Sequence, residues 1–367
     1  MKRFGAAVTA ASLLVVLAAT PAAATPPPYE QVATGLHSPR GLAFGPGGVL
    51  YVAEAGLAAG NPTDGIVPGV GMTGSITEIR DPGTHPSQRY LATGLLSVGD
   101  AEGTVGIDGI STLGNGGIYG IMALSSPGTG IPDGVGRLIK VSQGGEVRTV
   151  ADVGGFNYAW SAAHADLSPR DFPDANPYAV LALPSRLYVA DAGTNTLDEV
   201  TQSGTVRTLA FFPDNALADS TPTCVTQGPD GALYIGTLAL TDSIVSGPSA
   251  KVYRVDLSQA TGSESSVLGV ATVWADGLWP MNGCAFSPGG TFYATELFTG
   301  VTMTPDGPVP AGGDVVKIPF AHPDQHVSLT GGTLPFPGGV AVAADGTVYA
   351  AAAATSADGF VVRLTGR

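Results

Sequence analysis

The sequence predicts an all-β fold: a six-bladed β-propeller of four-stranded antiparallel blades, closed by an N-terminal strand in the last blade. Three observations carry this. Residues 41–56, GLAFGPGGVLYVAEAG, read as an apolar strand, a Gly/Pro turn, a second apolar strand and an acid before another glycine. That unit returns five times, marked by Tyr51, Tyr119, Tyr188, Tyr234, Tyr293 and Tyr349, each preceded by an apolar residue. Ten residues upstream of these tyrosines, Gly41, Gly109, Tyr178, Cys224, Gly283 and Gly339 open the preceding strand. Finally, the last copy ends in its third strand near Leu364, while a strand-like stretch without a local partner, QVATG (31–35), precedes the first copy. Placing that stretch as the missing fourth strand closes the ring and removes an open sheet edge.

Taken in order, Lys2 and Arg3 precede an apolar run, 6–19, too short to cross a bilayer, and then Pro21 and Ala22 to Ala24. This predicts a secretory signal peptide, 1–24, cleaved after Ala24, and a single propeller over 25–367. No later stretch is long and apolar enough for a membrane helix, so the mature chain is expected outside the cytoplasm with no membrane insertion. Each copy continues with a variable loop and a third strand, as in GSITEIR (74–80), GRLIKV (136–141), TLDEV (196–200), AKVYRV (250–255), GDVVKI (313–318) and GFVVRL (359–364). Fourth strands are expected at 89–92, 146–151, 205–211, 267–274 and 326–329. Val, Ile, Thr and aromatics dominate these runs, with Gly, Pro, Asp and Asn between them. The turns GPGG, GPDG, SPGG and AADG supply the positive-φ positions of tight hairpins. An insertion at 155–175 interrupts the pattern, with a short helix expected over 156–167, ended by Pro169, and with Phe156, Tyr158 and Trp160 anchoring it or covering a binding face.

The formal charge of −14, with only 13% charged residues, argues against nucleic acid and anionic membranes as partners. Two cysteines in an exported chain permit one disulfide, Cys224–Cys284. They occupy neighbouring copies one register step apart, an offset that lets them face each other or point away.

The chain contains no H-E-x-x-H, C-x-x-C, G-x-S-x-G or EF-hand pattern. GVGMTG (69–74) matches a dinucleotide-binding fingerprint literally, but no helix follows, and a flexible loop is expected. His322 and His326 read as a surface connection. Propeller geometry offers more. The start of each first strand and the end of each second strand emerge on one face near the axis. Eleven residues before the tyrosines lie Arg40, Asp108, Pro177 (with Asn176 beside it), Thr223, Asn282 and Gly338; three residues after them lie Glu54, Met122, Asp191, Thr237, Glu296 and Ala352. Glu54, Asp108, Asn176, Asn282 and Glu296, with Arg40, are therefore the candidate funnel residues. Carboxylates with Asn carbonyls are the oxygen ligands Ca2+ prefers, so these five are also the candidate Ca2+ ligands. The alternative is that each acid caps its own loop, and Asp191 in DAGTN fits that role best.

The blades VATGLHSPRGLAFGPGGVLYVAEAG, NPYAVLALPSRLYVADAGTNTL and GGVAVAADGTVYA resemble the ScyD/ScyE family of exported, NHL-like propeller proteins over essentially the whole mature chain. Asn176-Pro177-Tyr178 and Val189-Ala190-Asp191-Ala192-Gly193 are the most specific part. The chain departs from the family pattern at Ile107, where His is usual before Asp108, and at Gly283, where an acid is usual. The resemblance implies a six-bladed propeller outside the cytoplasm. More distantly, the chain is similar in architecture to calcium-dependent lactonases of the gluconolactonase type. Two functions follow as expectations: a secreted, monomeric binding or scaffold propeller whose funnel recognises a small molecule, glycan or protein partner, or a Ca2+-dependent lactonase or esterase. The lack of an obvious base–nucleophile pair favours the first.

Overall fold

A computed structural model of the chain describes residues 27–57, 69–99, 103–125, 127, 131, 133–168 and 173–365. The signal peptide expected at 1–24 lies outside the described residues. Six antiparallel sheets form the blades, which run from a first, innermost strand outward. The first strands are Pro39–Phe44, Ile107–Thr112, Pro177–Ala182, Pro222–Gln227, Met281–Phe286 and Val340–Val342. Each touches the first strand of the next blade, and the sixth touches the first, so the ring is closed. The closing strand is Tyr29–Leu36, which pairs with Gly359–Leu364 from Tyr29↔Leu364 to Leu36↔Gly359 as the outer strand of blade 6.

The marker tyrosines recur because they fill the gaps between blades. Six hydrophobic clusters lie one at each blade interface, and each contains one of them: Tyr51, Tyr119, Tyr188, Tyr234, Tyr293 and Tyr349. The interface between blades 4 and 5 is the most aromatic, with Tyr234 set edge-on against Trp274 and Phe286. Nearer the axis the strands meet at backbone distance, which dictates small residues. A Cβ on Gly109 would lie 2.7 Å from the Tyr178 carbonyl oxygen, and one on Gly283 2.6 Å from the Gly339 Cα. Cys224 and Cys284 are joined there by a disulfide between blades 4 and 5, with Cα atoms 5.7 Å apart. By the chain-entropy model, a closed loop of this length stabilises the fold by about 4 kcal/mol.

Three expectations change. The 69–74 segment is not a loop; it is the first half of the long strand Gly69–Arg80, and it pairs with Ser87–Gly99 through Gly69↔Gly99, Val70↔Val98 and Gly71↔Ser97. Glycine-rich backbone can still pair as a strand when a neighbouring strand extends beside it, here with register breaks on either side of Gly74. Helix α1 spans Val153–Ala163 and so starts three residues before the expected position, because Asp152 caps it by accepting from the Gly155 N–H at 2.9 Å. In blade 4 the outer strand is Ala271–Leu278, and Val267 lies instead in a short helix, Glu264–Val267, capped by Ser263. A further helix, α2 (Leu240–Ser246), lies between it and α1 in the chain, which makes the short helix α3. His322 and His326 lie in the connection between Asp314–Pro319 and Val327–Ser328.

Candidate functional site in the axial channel

Every first strand but the last begins with one residue too many. In blade 2, Ile107 pairs with Met122 and Gly109 with Ile121, leaving Asp108 between them. The same bulge falls on Tyr178, Thr223 and Asn282, and in blade 1 the register slips between Pro39 and Leu42, around Arg40. A bulge re-aims the side chain it carries. Here it places Arg40, Asp108, Tyr178, Thr223 and Asn282 as a polar ring lining an axial cavity of about 250 Å³. Blade 6 contributes glycine at this level and no side chain. Toward the other end of the channel the wall is more exposed and largely apolar, with Phe44, Leu181, Phe286 and Val342.

The ring is bonded together, but incompletely. The Tyr178 hydroxyl donates to Asn282 Oδ1 at 2.5 Å, and Asn282 Nδ2 donates to the Pro337 carbonyl at 3.1 Å. Thr223 Oγ1 donates to the Met281 carbonyl at 2.7 Å. Arg40 Nη2 donates to the Thr104 carbonyl at 2.8 Å, and Asp108 Oδ1 accepts from the Gly106 N–H at 3.1 Å. Arg40 Nε and Asp108 Oδ2 are buried with no hydrogen-bond partner. Burial pushes the Asp108 carboxyl above its ordinary range, and the nearby Arg40 guanidinium only partly opposes this. Burial also drives the Tyr178 phenol up to about 12, so it stays a neutral donor. The site thus offers a guanidinium and a carboxyl, each with one polar atom left without a partner.

Among the sequence-predicted residues, Arg40, Asp108 and Asn282 meet in this ring. Glu54, Glu296 and Asn176 do not join it. Glu54 is fully buried; Oε2 accepts from the His37 N–H at 2.7 Å and Oε1 from Thr77 Oγ1 at 2.5 Å. Glu296 accepts from the Trp279 N–H at 2.9 Å. Asp191 accepts from the N–H groups of Asn176, Gly193 and Thr194. In blades 1, 3 and 5 the acid ending the second strand therefore holds the chain where it enters the first strand. Asn176 spans blades by accepting from the Leu124 N–H at 2.9 Å. The five oxygen donors expected to gather around Ca2+ point to different partners, and among the described residues no three His, Cys, Asp or Glu side chains gather in a metal-holding group. They do not fit a shared calcium site.

Tyr178 was missed as a ring member because blade 3 has a shorter turn. Ala182 pairs with Leu187 there, whereas Thr112 pairs with Ile118 in blade 2. Counting back a fixed eleven residues from Tyr188 lands on Pro177 instead of Tyr178. The length of the turn LPSR against LGNGG is the signal that corrects it.

Two carboxyls outside the ring make stability pH-dependent. Asn157 of α1 donates from Nδ2 to both Asp191 Oδ2 and Asp198 Oδ2, each at 2.7 Å, in a fully buried cluster. Burial raises Asp198 to about 7, and burial with nearby Asp314 raises Glu296 to about 7. Both folded values lie above the ordinary 3.8 and 4.5, so the folded state binds more protons across that interval. Their stabilising effect is fully present at the acid end and is lost as pH rises through 7, by at most about 1.4 kcal/mol per pH unit for each group. A higher melting temperature at pH 5 than at pH 8 is expected; a flat or opposite profile by calorimetry contradicts these assignments.

No family model matches the chain, and no curated protein matches its sequence. Among solved structures, the chain is similar to the PQQ-bound aldose sugar dehydrogenase of Streptomyces coelicolor (TM-score 0.52, 16% identity, 91% of this chain and 96% of that one). It is also similar to a putative glucose dehydrogenase of Thermus thermophilus (TM-score 0.51, 15% identity, 91% and 98%). A Bacteroides thetaiotaomicron protein of unknown function gives a TM-score of 0.54 at 10% identity, over 90% of this chain and 70% of that one. These likenesses define the chain as a six-bladed β-propeller. At such identities they extend to the fold alone.

Proposed function

We propose that the chain is an exported ligand-binding propeller of the ScyD/ScyE type, whose axial channel holds a small, uncharged, hydroxyl-rich molecule such as a monosaccharide or the end of a glycan. One observation carries this reading: Arg40 and Asp108 line the same cavity, and each buries a polar atom, Nε and Oδ2, with no hydrogen-bond partner. An unmet buried donor or acceptor costs about 1–3 kcal/mol, which a ligand supplying the missing bond recovers. A hydroxyl both donates and accepts, so two adjacent hydroxyls satisfy both groups. The opposite charges of the pair cancel, which disfavours a ligand carrying net charge. The Cys224–Cys284 bridge supports export, since such bonds persist in oxidising compartments. No helix among the described residues is long and apolar enough to cross a membrane.

Calorimetric titration with a neutral hexose, the matching hexuronate and the matching hexosamine tests the reading. The neutral sugar is expected to bind best, and Asp108→Asn to weaken it roughly tenfold or more. Equal binding by a variant with an unchanged melting temperature, or preference for a charged sugar, contradicts it.

A further inference from the structure

The axial cavity has two chemically different ends. The bulged ring is the more enclosed one, with Asp108 2%, Thr223 3% and Asn282 7% exposed. At the other, where the first strands finish, Phe44, Leu181, Phe286 and Val342 line the same cavity as a half-buried apolar collar. Each is also held from behind, packed against the hydrophobic cluster of a blade interface. Phe44 stands edge-on to Tyr349 and Phe286 to Tyr234, with ring centroids 5.3 and 5.0 Å apart. Beyond the ring, the described residues of the wall include no charged side chain. The side-chain hydroxyls there are those of Ser111 and Thr226, and that of Ser111 already accepts from the Ala182 N–H at 2.9 Å. Leu181 follows Tyr178 by three positions, and Phe44 and Phe286 follow Arg40 and Asn282 by four. At about 3.3 Å per residue, ring and collar are roughly 10–13 Å apart.

We propose that the channel takes a glycoside whose sugar meets the ring and whose aglycone is an apolar stem, an alkyl or aryl group, lying in the collar. This rests on the ring binding a neutral sugar, and adds which substituent that sugar carries. The collar is the more exposed end, so a sugar seated in the ring leaves its substituent pointing back through the collar. A second sugar there brings hydroxyls to a wall with few side-chain partners, and polar groups left unmet cost affinity. An apolar stem instead withdraws its own surface and that of the two phenylalanines from water. The collar side chains are already fixed by their packing, so little of their freedom is lost on binding.

The probes are the methyl and hexyl β-glucosides and β-galactosides, titrated calorimetrically into the 25–367 chain. Cellobiose and lactose carry a second sugar in place of the stem, and hexan-1-ol is the stem alone. With the preferred sugar, the hexyl glycoside is expected to bind about thirtyfold or more tighter than the methyl one, since each buried methylene contributes about fourfold. The disaccharide is expected to bind no tighter than the methyl glycoside, and hexan-1-ol more weakly than the hexyl glycoside. Leu181→Ser with Val342→Ser is expected to cut the hexyl advantage about tenfold and to leave the methyl glycoside unchanged. In the unaltered chain, NMR contacts are expected between the terminal methyl of the hexyl group and the methyls of Leu181 or Val342, which gives an answer even where the variant fails to fold. A methyl glycoside that binds with no hexyl advantage, a disaccharide that outbinds the hexyl glycoside, or a hexyl terminus without contact to the collar overturns this inference and leaves the sugar site in the ring standing. No binding of any glycoside overturns both.

Discussion

Deleting residues 25–36 from the 25–367 chain is expected to lower its melting temperature sharply and to make it aggregate at concentrations where the 25–367 chain stays dispersed. The deleted stretch contains the outer strand of blade 6, whose ladder runs to both ends of Gly359–Leu364. It carries the buried side chains of Val32, Ala33 and Leu36 into the cluster shared by blades 6 and 1. Each large apolar side chain withdrawn from water contributes about 1.5–3 kcal/mol. The Arg363–Glu30 ion pair and the Tyr29 hydroxyl bond to the Thr333 carbonyl are lost as well. Against a typical net stability of about 5–15 kcal/mol, this is a large fraction, and what remains exposes an unpaired edge beside the gap between blades 6 and 1. Scanning calorimetry with light scattering checks it. A truncated chain that melts like the intact one contradicts closure by the N-terminal strand.

Arg40→Met is expected to cost about 1–3 kcal/mol of stability near neutral pH, because it leaves the Thr104 carbonyl without its donor and removes the nearby positive charge that partly offsets the burial of Asp108. Asp108 is already pushed upward by burial, with Arg40 holding it back, so removing Arg40 raises it further. The group then escapes the penalty by protonating, and the sign follows: the loss is larger at pH 8 and shrinks toward pH 5. The double change Arg40→Met with Asp108→Leu removes the buried carboxyl along with the charge that opposes its burial and is expected to regain the pH-dependent part of the loss. Denaturant melts of the single and double variants at the two pH values check this. A double variant as unstable as the single one, or a loss independent of pH, shows that Arg40 acts mainly through its bond to the Thr104 carbonyl.

The fold was legible because its determinants repeat. A tyrosine at one strand position fills every blade interface, and the missing strand at one end of the chain matches the orphan strand at the other. The site was legible only in part. Arg40, Asp108 and Asn282 keep a constant distance from their tyrosines, so counting finds them. Tyr178 escapes the count through a one-residue difference in a turn on the opposite side of the sheet. Glu54 and Glu296 stand at the expected strand ends, yet their carboxylates turn to the N–H groups of His37 and Trp279. That choice depends on the path of the incoming chain, which residue spacing does not encode. The 69–74 segment misled for a related reason, since its strand character comes from the partner Ser87–Gly99 and not from its own composition.

The most direct measurement is a crystal structure of residues 25–367 with the neutral hexose that binds best in titration. The sugar is expected inside the ring of first strands, with adjacent hydroxyls within hydrogen-bond distance of Arg40 Nε and Asp108 Oδ2 and a third near the Tyr178 hydroxyl. A hexose bound elsewhere on the molecule at saturation, with Arg40 and Asp108 contacting only water, contradicts a ligand site in the channel.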